Sequence, residues 1–530
     1  MRGDFIRIYW PVLVALPLYG LMVLFTFGHT PDDGLITLRY AENLLASGQP
    51  DFTVGQPVEG FSSPLHLLVA TASALAPDSY TVLVLKLFGV LFGAAALWTT
   101  AVLARTVGLS TKGQAACTVL VALSWNFAAS AANGLETSLY AVLFTGLLAA
   151  LIRSDAPRWQ APVWAALFVL ARPESLAVVA VLAAGCAVLR TQEPLGRRVQ
   201  WVLAPIVTYL VLAIARYSYF GELLPNTYYA KNVPFGIAAP LGSDYLVQAQ
   251  AWWGFVPALS SVALLIELIL TIVAIAPWWR THRSALLLQL AILIQAAMII
   301  MAGGDWMYGG RHLAPIIPLL TVASVAGAAH LVGLITTDRR TTTASASSRR
   351  GVVIAATSVA AVALAVAFVG PTQNTYHPVW NIAGADNTGL IKSGGYDMYS
   401  VHWIEGVRQT RCLPPGTVVA FSEMGLFGLS NTHLDIVDTR GLVSGEIAHA
   451  AGSDIKMRTG VEDPRWAEPD SVVGSALLER NPALILVAAP TSPAPTVLGG
   501  RYTLINQYAT PGDPVVLATY TRTDQPTEIC

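Results

Sequence analysis

Charge is scarce in this 530-residue chain, in which 12% of the residues are Asp, Glu, Lys or Arg and 54% are hydrophobic. Soluble globular proteins carry about 25% charged residues. The scarcity excludes an ordinary soluble enzyme, and a net charge of -1 offers no basic surface to nucleic acid. A mean hydropathy of +0.56 instead predicts a polytopic membrane protein.

Several chemical motifs are also missing. The sequence contains no P-loop and no glycine-rich dinucleotide motif that opens a helix after a strand. The nine histidines are scattered, and no His or Cys spacing indicates a zinc site. We therefore expect no required cofactor, and a divalent cation is possible but has no motif to support it.

Cysteine is rare, with four in the whole chain. Cys117 and Cys186 fall within apolar runs and are expected to be small buried side chains. Cys412 and Cys530 fall in a later polar region, where an oxidising compartment would allow a disulfide. Two unpaired thiols are the alternative, and the sequence leaves both open.

Apolar runs long enough to cross a membrane, about 20 residues each, recur along the first 370 residues. A run at 161–190 holds Arg172-Pro173-Glu174 near its middle and predicts two helices joined by a turn. Together the runs predict eleven transmembrane helices, the others lying at 6–27, 80–104, 113–131, 135–152, 199–215, 253–277, 284–302, 311–335 and 351–370.

The distribution of basic residues predicts the orientation, because short cytoplasmic loops carry an excess of Lys and Arg. If the N-terminus is cytoplasmic, every inner segment contains basic residues, and the outer loops hold only isolated cations. An odd number of helices then sends the C-terminal region outside. We expect a multi-pass protein of the plasma membrane with an extracytoplasmic C-terminal domain.

The composition changes after residue 370, which predicts two domains. Residues 1–370 would form the membrane domain, with a first outer loop at 28–79 and a flexible cytoplasmic linker at 336–350. Residues 371–530 would form a soluble α/β domain. Its predicted helices are 397–411 and 471–480, and its predicted strands are 418–421, 434–437, 483–487, 502–505 and 515–520.

Two adjacent carboxylates, Asp32 and Asp33, follow the first apolar run. Charges at the end of a membrane helix are costly unless they meet water, a cation or a polar substrate. The segment after them, Gly34 to Ser47, has helical apolar spacing, so one aspartate could simply cap that helix. Capping leaves the second aspartate unexplained, and the pair is a candidate reaction centre.

Other polar residues interrupt apolar surroundings on the predicted outer side. Glu59 lies in a Gly-, Pro- and Ser-rich loop that either lines a cleft or is only a turn before a helix. Glu136, Arg172 and Asp305 lie at predicted outer helix ends. Arg172 and neighbouring carboxylates are equally well explained as a structural ion pair.

The loop at 217–250 contains Asn226, Tyr228 and Lys231, which offer hydrogen bonds, a stacking surface and a cation suited to a sugar phosphate. An interfacial aromatic belt explains the same residues. Arg311, which follows two glycines, is a second candidate phosphate ligand, or it extends to the lipid headgroups.

Taken in order, these motifs resemble the polyprenyl-phosphate-sugar-dependent glycosyltransferases of the GT-C superfamily, most of all the mycobacterial terminal β-arabinofuranosyltransferases. The resemblance spans residues 31 to about 318, and Asp438 to Leu442 are also similar to the family. It is carried by the segments DDGLITLRYAENL, VEGFSSPL, NGLET, ARPE, LPNTYYAK, GGDWM and GRHLAP.

The resemblance implies a decaprenyl-phosphate arabinose donor and an arabinan acceptor of arabinogalactan or lipoarabinomannan. It also implies catalysis by Asp32 or Asp33. Because a polyprenyl phosphate leaves as an anion, positive charge from Arg39, Lys231 or Arg311 would suffice to stabilise it. An aspartate base would give inversion, whereas retention needs an aspartate nucleophile or front-face attack. The remaining expected substrate-binding residues are Glu59, Glu136, Arg172, Asn226, Tyr228 and Asp305.

Other functions remain open at this point. The donor could carry another sugar, such as mannose. A transporter or flippase for a lipid-linked sugar would need a similar polar cavity, although the sequence shows no inverted repeat. A non-catalytic subunit of cell-envelope assembly is a third alternative, which the number of polar motifs on one predicted side disfavours.

Overall fold

The structure, a computed structural model, describes residues 2–28, 30–231, 235–252, 257–305, 310–337, 400–450, 464–490, 493–509 and 515–530. The chain forms two compact units. Unit 1 comprises Met1–His29, Lys86–Val211 and Gly236–Val379, and unit 2 comprises Thr30–Leu85, Leu212–Phe235 and Trp380–Cys530. The predicted span 351–370, most of the predicted linker 336–350 and the boundary at residues 370–371 lie outside the described residues.

Helices make up most of the chain as far as Thr337, as the apolar composition predicts. In chain order they are α1 (Arg2–Thr26), α2 (Asp33–Ser47), α3 (Pro64–Ser73), α4 (Thr81–Thr106), α5 (Thr111–Leu123), α6 (Trp125–Ala131), α7 (Thr137–Ile152), α8 (Gln160–Val169), α9 (Ser175–Leu189), α10 (Leu195–Phe220), α11 (Asn226–Lys231), α12 (Phe235–Trp252), α13 (Pro257–Val273), α14 (Ile275–Thr281), α15 (Leu286–Ala302) and α16 (Ile317–Thr337).

Six helical segments of the described residues are long and apolar enough to cross a membrane, or seven if the bent pair α5 and α6 forms one span. The chain is therefore a multi-pass membrane protein, whereas its orientation stays a prediction. The count of eleven is not confirmed. The six segments are Tyr9–Thr26, Asp78–Thr106, Leu195–Phe220, Leu264–Thr281, Arg283–Ala302 and Ile317–Leu334.

The shorter apolar helices explain much of the difference. α7, α8 and α9 have 16, 10 and 15 residues, fewer than the roughly 20 that span a bilayer. Every residue of α7 is buried within the protein. Its apolar sequence is therefore explained by packing against other helices, which hydropathy cannot distinguish from contact with lipid.

The predicted single span 113–131 is broken at Ser124. The Ser124 side chain accepts a hydrogen bond from the Phe127 N–H at 3.3 Å and so caps the start of α6. α5 and α6 meet at an angle of 66°. Broken helices in membrane proteins are associated with binding sites because their ends expose polar backbone groups.

Unit 2 contains a six-stranded sheet in the order β2-β1-β3-β6-β5-β4. β1 pairs in parallel with β2 and β3, and the other pairings are antiparallel. The strands are β1 (Val418–Phe421), β2 (Asp435–Asp438), β3 (Leu484–Pro490), β4 (Thr496–Val497), β5 (Tyr502–Ala509) and β6 (Val515–Arg522). The helices are α17 (Ser400–Thr410), α18 (Gly425–Ser430), α19 (Gly445–Ala450) and α20 (Val472–Arg480).

The five strands predicted from the sequence are present, as are both predicted helices, with ends shifted by a few residues. The sequence did not predict β4, α18 or α19. β4 has two residues, and α18 and α19 have six each. Segments this short show no measurable apolar period.

Within unit 2, residues 30–85 share one hydrophobic core with the sheet. Tyr40, Phe52 and Phe61 belong to the same buried cluster as Phe421 and Phe427. The Tyr40 ring lies 5.7 Å from the Phe52 ring and 5.1 Å from the Phe61 ring, in tilted and edge-on arrangements that favour aromatic packing. Residues 30–85 therefore fold together with the sheet.

A disulfide joins Cys412 to Cys530, so the pairing that the sequence left open is present. The Cys530 N–H also donates to the Gln409 carbonyl at 3.0 Å. Cys117 and Cys186 are free and buried, as expected of small apolar side chains. The bridge closes a loop that contains all six strands.

We predict two reactive thiols in the denatured protein before reduction and four after reduction. Replacing Cys412 by Ser should lower the free energy of unfolding of the sheet by about 2–4 kcal/mol, because the bridge restricts the unfolded chain. Limited proteolysis under mild heating measures this loss, and Cys186→Ala serves as the control. Four reactive thiols before reduction would show that the bridge does not form.

Candidate functional site

Asp32 binds the backbone of another segment of unit 2 and does not cap its own helix. Its Oδ2 accepts the Gly425 N–H at 2.6 Å, and its Oδ1 accepts the Leu426 N–H at 2.8 Å. No side-chain hydrogen bond caps the start of α2. The capping explanation is therefore wrong for Asp32, whose carboxylate instead binds the first two residues of α18, the helix that follows β1.

Glycine at position 425 makes this contact possible. A Cβ atom there would lie 1.9 Å from the Asp32 carbonyl oxygen and 2.7 Å from the Asp32 Cγ. Real side chains do not approach backbone atoms so closely, so any other residue would push the start of α18 away from Asp32.

Asp32 is almost fully buried, with 3% of its surface exposed. Burial raises the pKa of Asp32 above its ordinary value, and the negative charges of Glu423 and Asp33 raise it further, while the two N–H groups lower it. Two hydrogen bonds and little exposure suit a group that positions its neighbours.

Asp33 differs from Asp32 because it is half-buried and begins α2. Its charge acts on Asp32, as does that of Glu423. Glu423 forms an ion pair with Arg440, whose Nη2 lies 3.2 Å from the Glu423 Oε1. About a third of the Arg440 side chain is exposed. Three carboxylates and one arginine thus form the candidate reaction centre.

Asp438 shapes the loop that carries Arg440. Its Oδ1 accepts the Arg440 N–H at 2.8 Å, and its Oδ2 accepts the Val443 N–H at 3.0 Å. Burial raises the pKa of Asp438 to about 6, against the opposing effect of these hydrogen bonds. The loop is therefore fixed at both ends by one buried carboxyl.

Arg39 lies in the core of unit 2 with 1% of its surface exposed. Its Nε donates to the Phe52 carbonyl at 3.1 Å and its Nη2 to the Thr432 carbonyl at 2.9 Å. Burial lowers the pKa of Arg39 to about 10. This placement favours a structural role over the expected contact with substrate.

Glu59 forms a buried bidentate ion pair with Arg216, in which Oε1 and Nη2 are 2.9 Å apart and Oε2 contacts Nε. Burial raises the pKa of Glu59 above its ordinary value, and Arg216 opposes the shift. The Glu59 carbonyl also accepts the Asn226 N–H at 2.9 Å. The Asn226 side chain donates to the carbonyls of Gly441 and Leu442 at 2.7 and 2.9 Å.

The other predicted residues of the 217–250 loop are more accessible. Lys231 is exposed, and 45% of the Tyr228 surface is exposed. The Tyr229 hydroxyl donates to Glu222 at 3.0 Å, and its ring lies 4.2 Å from the His449 ring. Tyr228 and Lys231 therefore remain available to a substrate, while Asn226 serves to connect backbone segments.

Unit 1 contains two further sets of charges. Arg172 lies between Glu136 at 2.8 Å and Glu174 at 2.6 Å, which confirms the ion pair that the sequence suggested. Arg311 donates through Nε to Asp305 at 2.6 Å. The substrate-binding roles of these residues stay predictions.

Within the described ranges, no group of three or more His, Cys, Asp or Glu side chains could hold a metal ion. The expectation that the protein needs no cofactor stays a prediction.

Sequence reasoning missed Glu423 and gave Arg440 no role. Both residues are distant in sequence from Asp32, whose hydrogen bond to Gly425 joins positions 393 residues apart. The only signal was the family-like segment Asp438 to Leu442, which does contain Arg440 and the carboxyl that fixes its loop.

Two membrane-associated proteins of known structure share the fold of this chain. The apo oligosaccharyltransferase of Archaeoglobus fulgidus aligns with a TM-score of 0.53 and 10% identity, over 91% of this chain and 70% of that one. ArnT from Cupriavidus metallidurans bound to undecaprenyl phosphate aligns with a TM-score of 0.50 and 13% identity, over 98% of both chains. The apo state of ArnT gives 0.51, 13% and 99% of both.

At these identities the similarity shows the fold alone. No protein-family profile matches the chain, and no curated protein matches it by sequence.

We predict that Glu59→Gln destabilises the protein strongly, by about 3–5 kcal/mol, because it leaves Arg216 buried without its counterion. The double variant Glu59→Met with Arg216→Met should be less affected. Thermal unfolding of the purified protein measures both. Asp524→Asn, which breaks an exposed pair with Arg522, is the control and should unfold at the wild-type temperature. A Glu59→Gln protein as stable as the wild type would contradict a structural role for the pair.

Proposed function

We propose that this protein is a membrane glycosyltransferase that transfers a sugar from a polyprenyl-phosphate donor to a cell-envelope glycan on the outer side of the membrane. The sugar is arabinofuranose and the acceptor is the arabinan of arabinogalactan or lipoarabinomannan. The choice of sugar and acceptor rests on the sequence resemblance, and a donor carrying mannose is the main alternative.

The fold supports the lipid-linked donor. ArnT, which aligns over almost its full length, has been crystallised with undecaprenyl phosphate. Another protein of similar fold is an oligosaccharyltransferase. Fold alone does not define a reaction, so the proposal depends on the residues of unit 2.

The observation that carries the proposal is the unequal environment of the two adjacent aspartates. Both oxygens of Asp32 accept backbone N–H groups, so its position is fixed. Asp33 begins the neighbouring helix and keeps partial exposure. We assign Asp33 as the group that acts on substrate and Asp32 as the residue that positions it.

In a single displacement, Asp33 would accept the proton of the acceptor hydroxyl as that oxygen attacks the anomeric carbon. The bond from the anomeric carbon to the phosphate oxygen breaks, and the polyprenyl phosphate leaves as an anion. If transfer proceeds with retention, Asp33 is instead the nucleophile, or attack occurs on the front face.

The departing phosphate needs a cation, and we assign Arg440 to it. Arg39 is buried among backbone carbonyls, whereas Arg440 is partly exposed. Arg440 also pairs with Glu423, whose charge acts on Asp32. A guanidinium binds two phosphate oxygens at once, which a lysine cannot do. Phosphate binding would replace the pairing of Arg440 with Glu423.

The disulfide between Cys412 and Cys530 supports an outer location for the sheet, because such bonds persist in oxidising compartments. The basic residues of the predicted inner loops point to the same orientation.

The aspartates are tested with purified protein, a synthetic acceptor and polyprenyl-phosphoryl arabinose, mannose and glucose. We expect Asp33→Asn to lower the transfer rate by a factor of about 10² to 10⁴, the usual contribution of a general base, while thermal stability is kept. Asp32→Asn should lose both activity and stability, because it disturbs the contacts with Gly425 and Leu426. Release of polyprenyl phosphate measures transfer.

The same assay separates the alternatives. A transporter would move the lipid across a vesicle membrane without releasing polyprenyl phosphate, and an assembly subunit would do neither. Full activity in Asp33→Asn would end its assignment. Absence of transfer by the wild type from all three donors would refute the function itself.

The phosphate assignment predicts that Arg440→Gln lowers the affinity for polyprenyl phosphate by about tenfold or more, and that Arg440→Lys recovers part of it. Direct binding of polyprenyl phosphate to protein in nanodiscs is measured, so the readout does not depend on catalysis. Arg408→Gln is the matched control, because Arg408 pairs with Glu405 in the same unit and is 57% exposed. Equal affinity of Arg440→Gln and wild type would exclude Arg440.

A further inference from the structure

Asn126 lies on α6, the shorter helix of the bent pair α5 and α6, and its side chain makes no hydrogen bond with the described residues. It is 3% exposed, and neither its Nδ2 nor its Oδ1 has a partner within the part of the chain that the structure describes. A buried amide that is left unpaired is costly, most of all where membrane lipid excludes water. Such a group suggests that a ligand completes it.

A second unsatisfied group faces the same place. The Tyr245 hydroxyl on α12 is buried and, among the described residues, makes no hydrogen bond of good geometry, although the His312 backbone lies near it. A Cβ atom on Gly310 would lie 3.7 Å from the Asn126 Nδ2 and 3.7 Å from the Tyr245 hydroxyl oxygen. Both groups therefore lie next to the same side of Gly310.

Glycine at position 310 allows Asn126 and Tyr245 to lie this close to the backbone. Its φ of 61° is a conformation that side chains rarely adopt, and it has no Cβ. Leu313 packs beside the same position, since its Cδ1 would lie 3.2 Å from a Cβ atom there.

The unsatisfied groups indicate the chemistry of the ligand. Asn126 offers both a donor and an acceptor, and the Tyr245 hydroxyl can be either. The adjacent cation, Arg311, is already paired with Asp305, so the site needs no extra negative charge. A phosphate offers only acceptors and would leave the Asn126 Oδ1 unpaired, whereas neighbouring sugar hydroxyls satisfy both.

We propose that Asn126 and Tyr245, which lie next to Gly310, form a subsite for neighbouring hydroxyl groups of a sugar. The sugar belongs to either the donor or the acceptor, which present the same chemistry. This inference rests on the proposed glycosyltransferase function and extends it to residues that the sequence motifs do not include.

The test uses Asn126→Ala and Tyr245→Phe in the full-length protein. We expect the KM for one sugar substrate to rise about tenfold or more, as loss of well-placed hydrogen bonds does. Binding of polyprenyl phosphate without a sugar should not change. A rise in the donor KM identifies the donor sugar, and a rise in the acceptor KM identifies the acceptor.

Stability separates a ligand site from a structural one. The Asn126 side chain has no partner to lose among the described residues, so Asn126→Ala should unfold at or above the wild-type temperature. Tyr19→Phe is the control for tyrosine, because its hydroxyl donates to the Val90 carbonyl elsewhere in unit 1 and should leave both KM values unchanged.

Three outcomes would overturn the inference. Unchanged KM values in both variants would mean that Asn126 and Tyr245 bind no sugar. Reduced stability with unchanged KM would assign Asn126 to the fold. If the wild type transfers sugar and the variants have the same KM values, only the subsite is rejected. If the wild type transfers sugar from none of the donors, the proposed function and the subsite are rejected together.

Discussion

The hydrogen bonds of the Asp32 carboxylate organise unit 2. They join the start of α2 to the start of α18, and the loop between β1 and α18 carries Glu423, which pairs with Arg440. The surrounding core, built on Tyr40, Phe52, Phe61 and the sheet, buries these bonds and so strengthens them. The reaction centre that we propose is thus assembled from segments almost 400 residues apart, and one buried carboxylate holds them together.

Local sequence patterns predicted much of this structure. Features that depend on contacts between residues distant in sequence could not be predicted. Residue types and periods located the strands of unit 2 to within a few residues, and a proline between two charges marked the break at Arg172 and the ion pair around it. The number of spanning helices was overestimated because buried helices such as α7 are as apolar as membrane helices. Hydropathy shows that a segment avoids water. It does not show whether protein or lipid surrounds the segment.

The candidate site shows the same limit more sharply. The sequence singled out the adjacent aspartates but could not show that one binds backbone N–H groups and the other stays partly exposed. It treated Arg39 as a possible substrate ligand, yet this cation is buried in the core of unit 2 and donates hydrogen bonds to two backbone carbonyls. Asn126 gave no signal at all, since an asparagine is noticed only when its surroundings show that its amide has no partner.

The bridge between Cys412 and Cys530 has a topological consequence. Every strand of the sheet lies inside the closed loop, so each is tethered on both sides. The bridge matters most for β6, the last strand, because it ties down the chain end that would otherwise be free to leave with it. Exchange of β6 with a second copy of the chain, one route of domain swapping, is therefore hindered under oxidising conditions. A single proteolytic cut inside the loop would likewise leave the two pieces covalently joined.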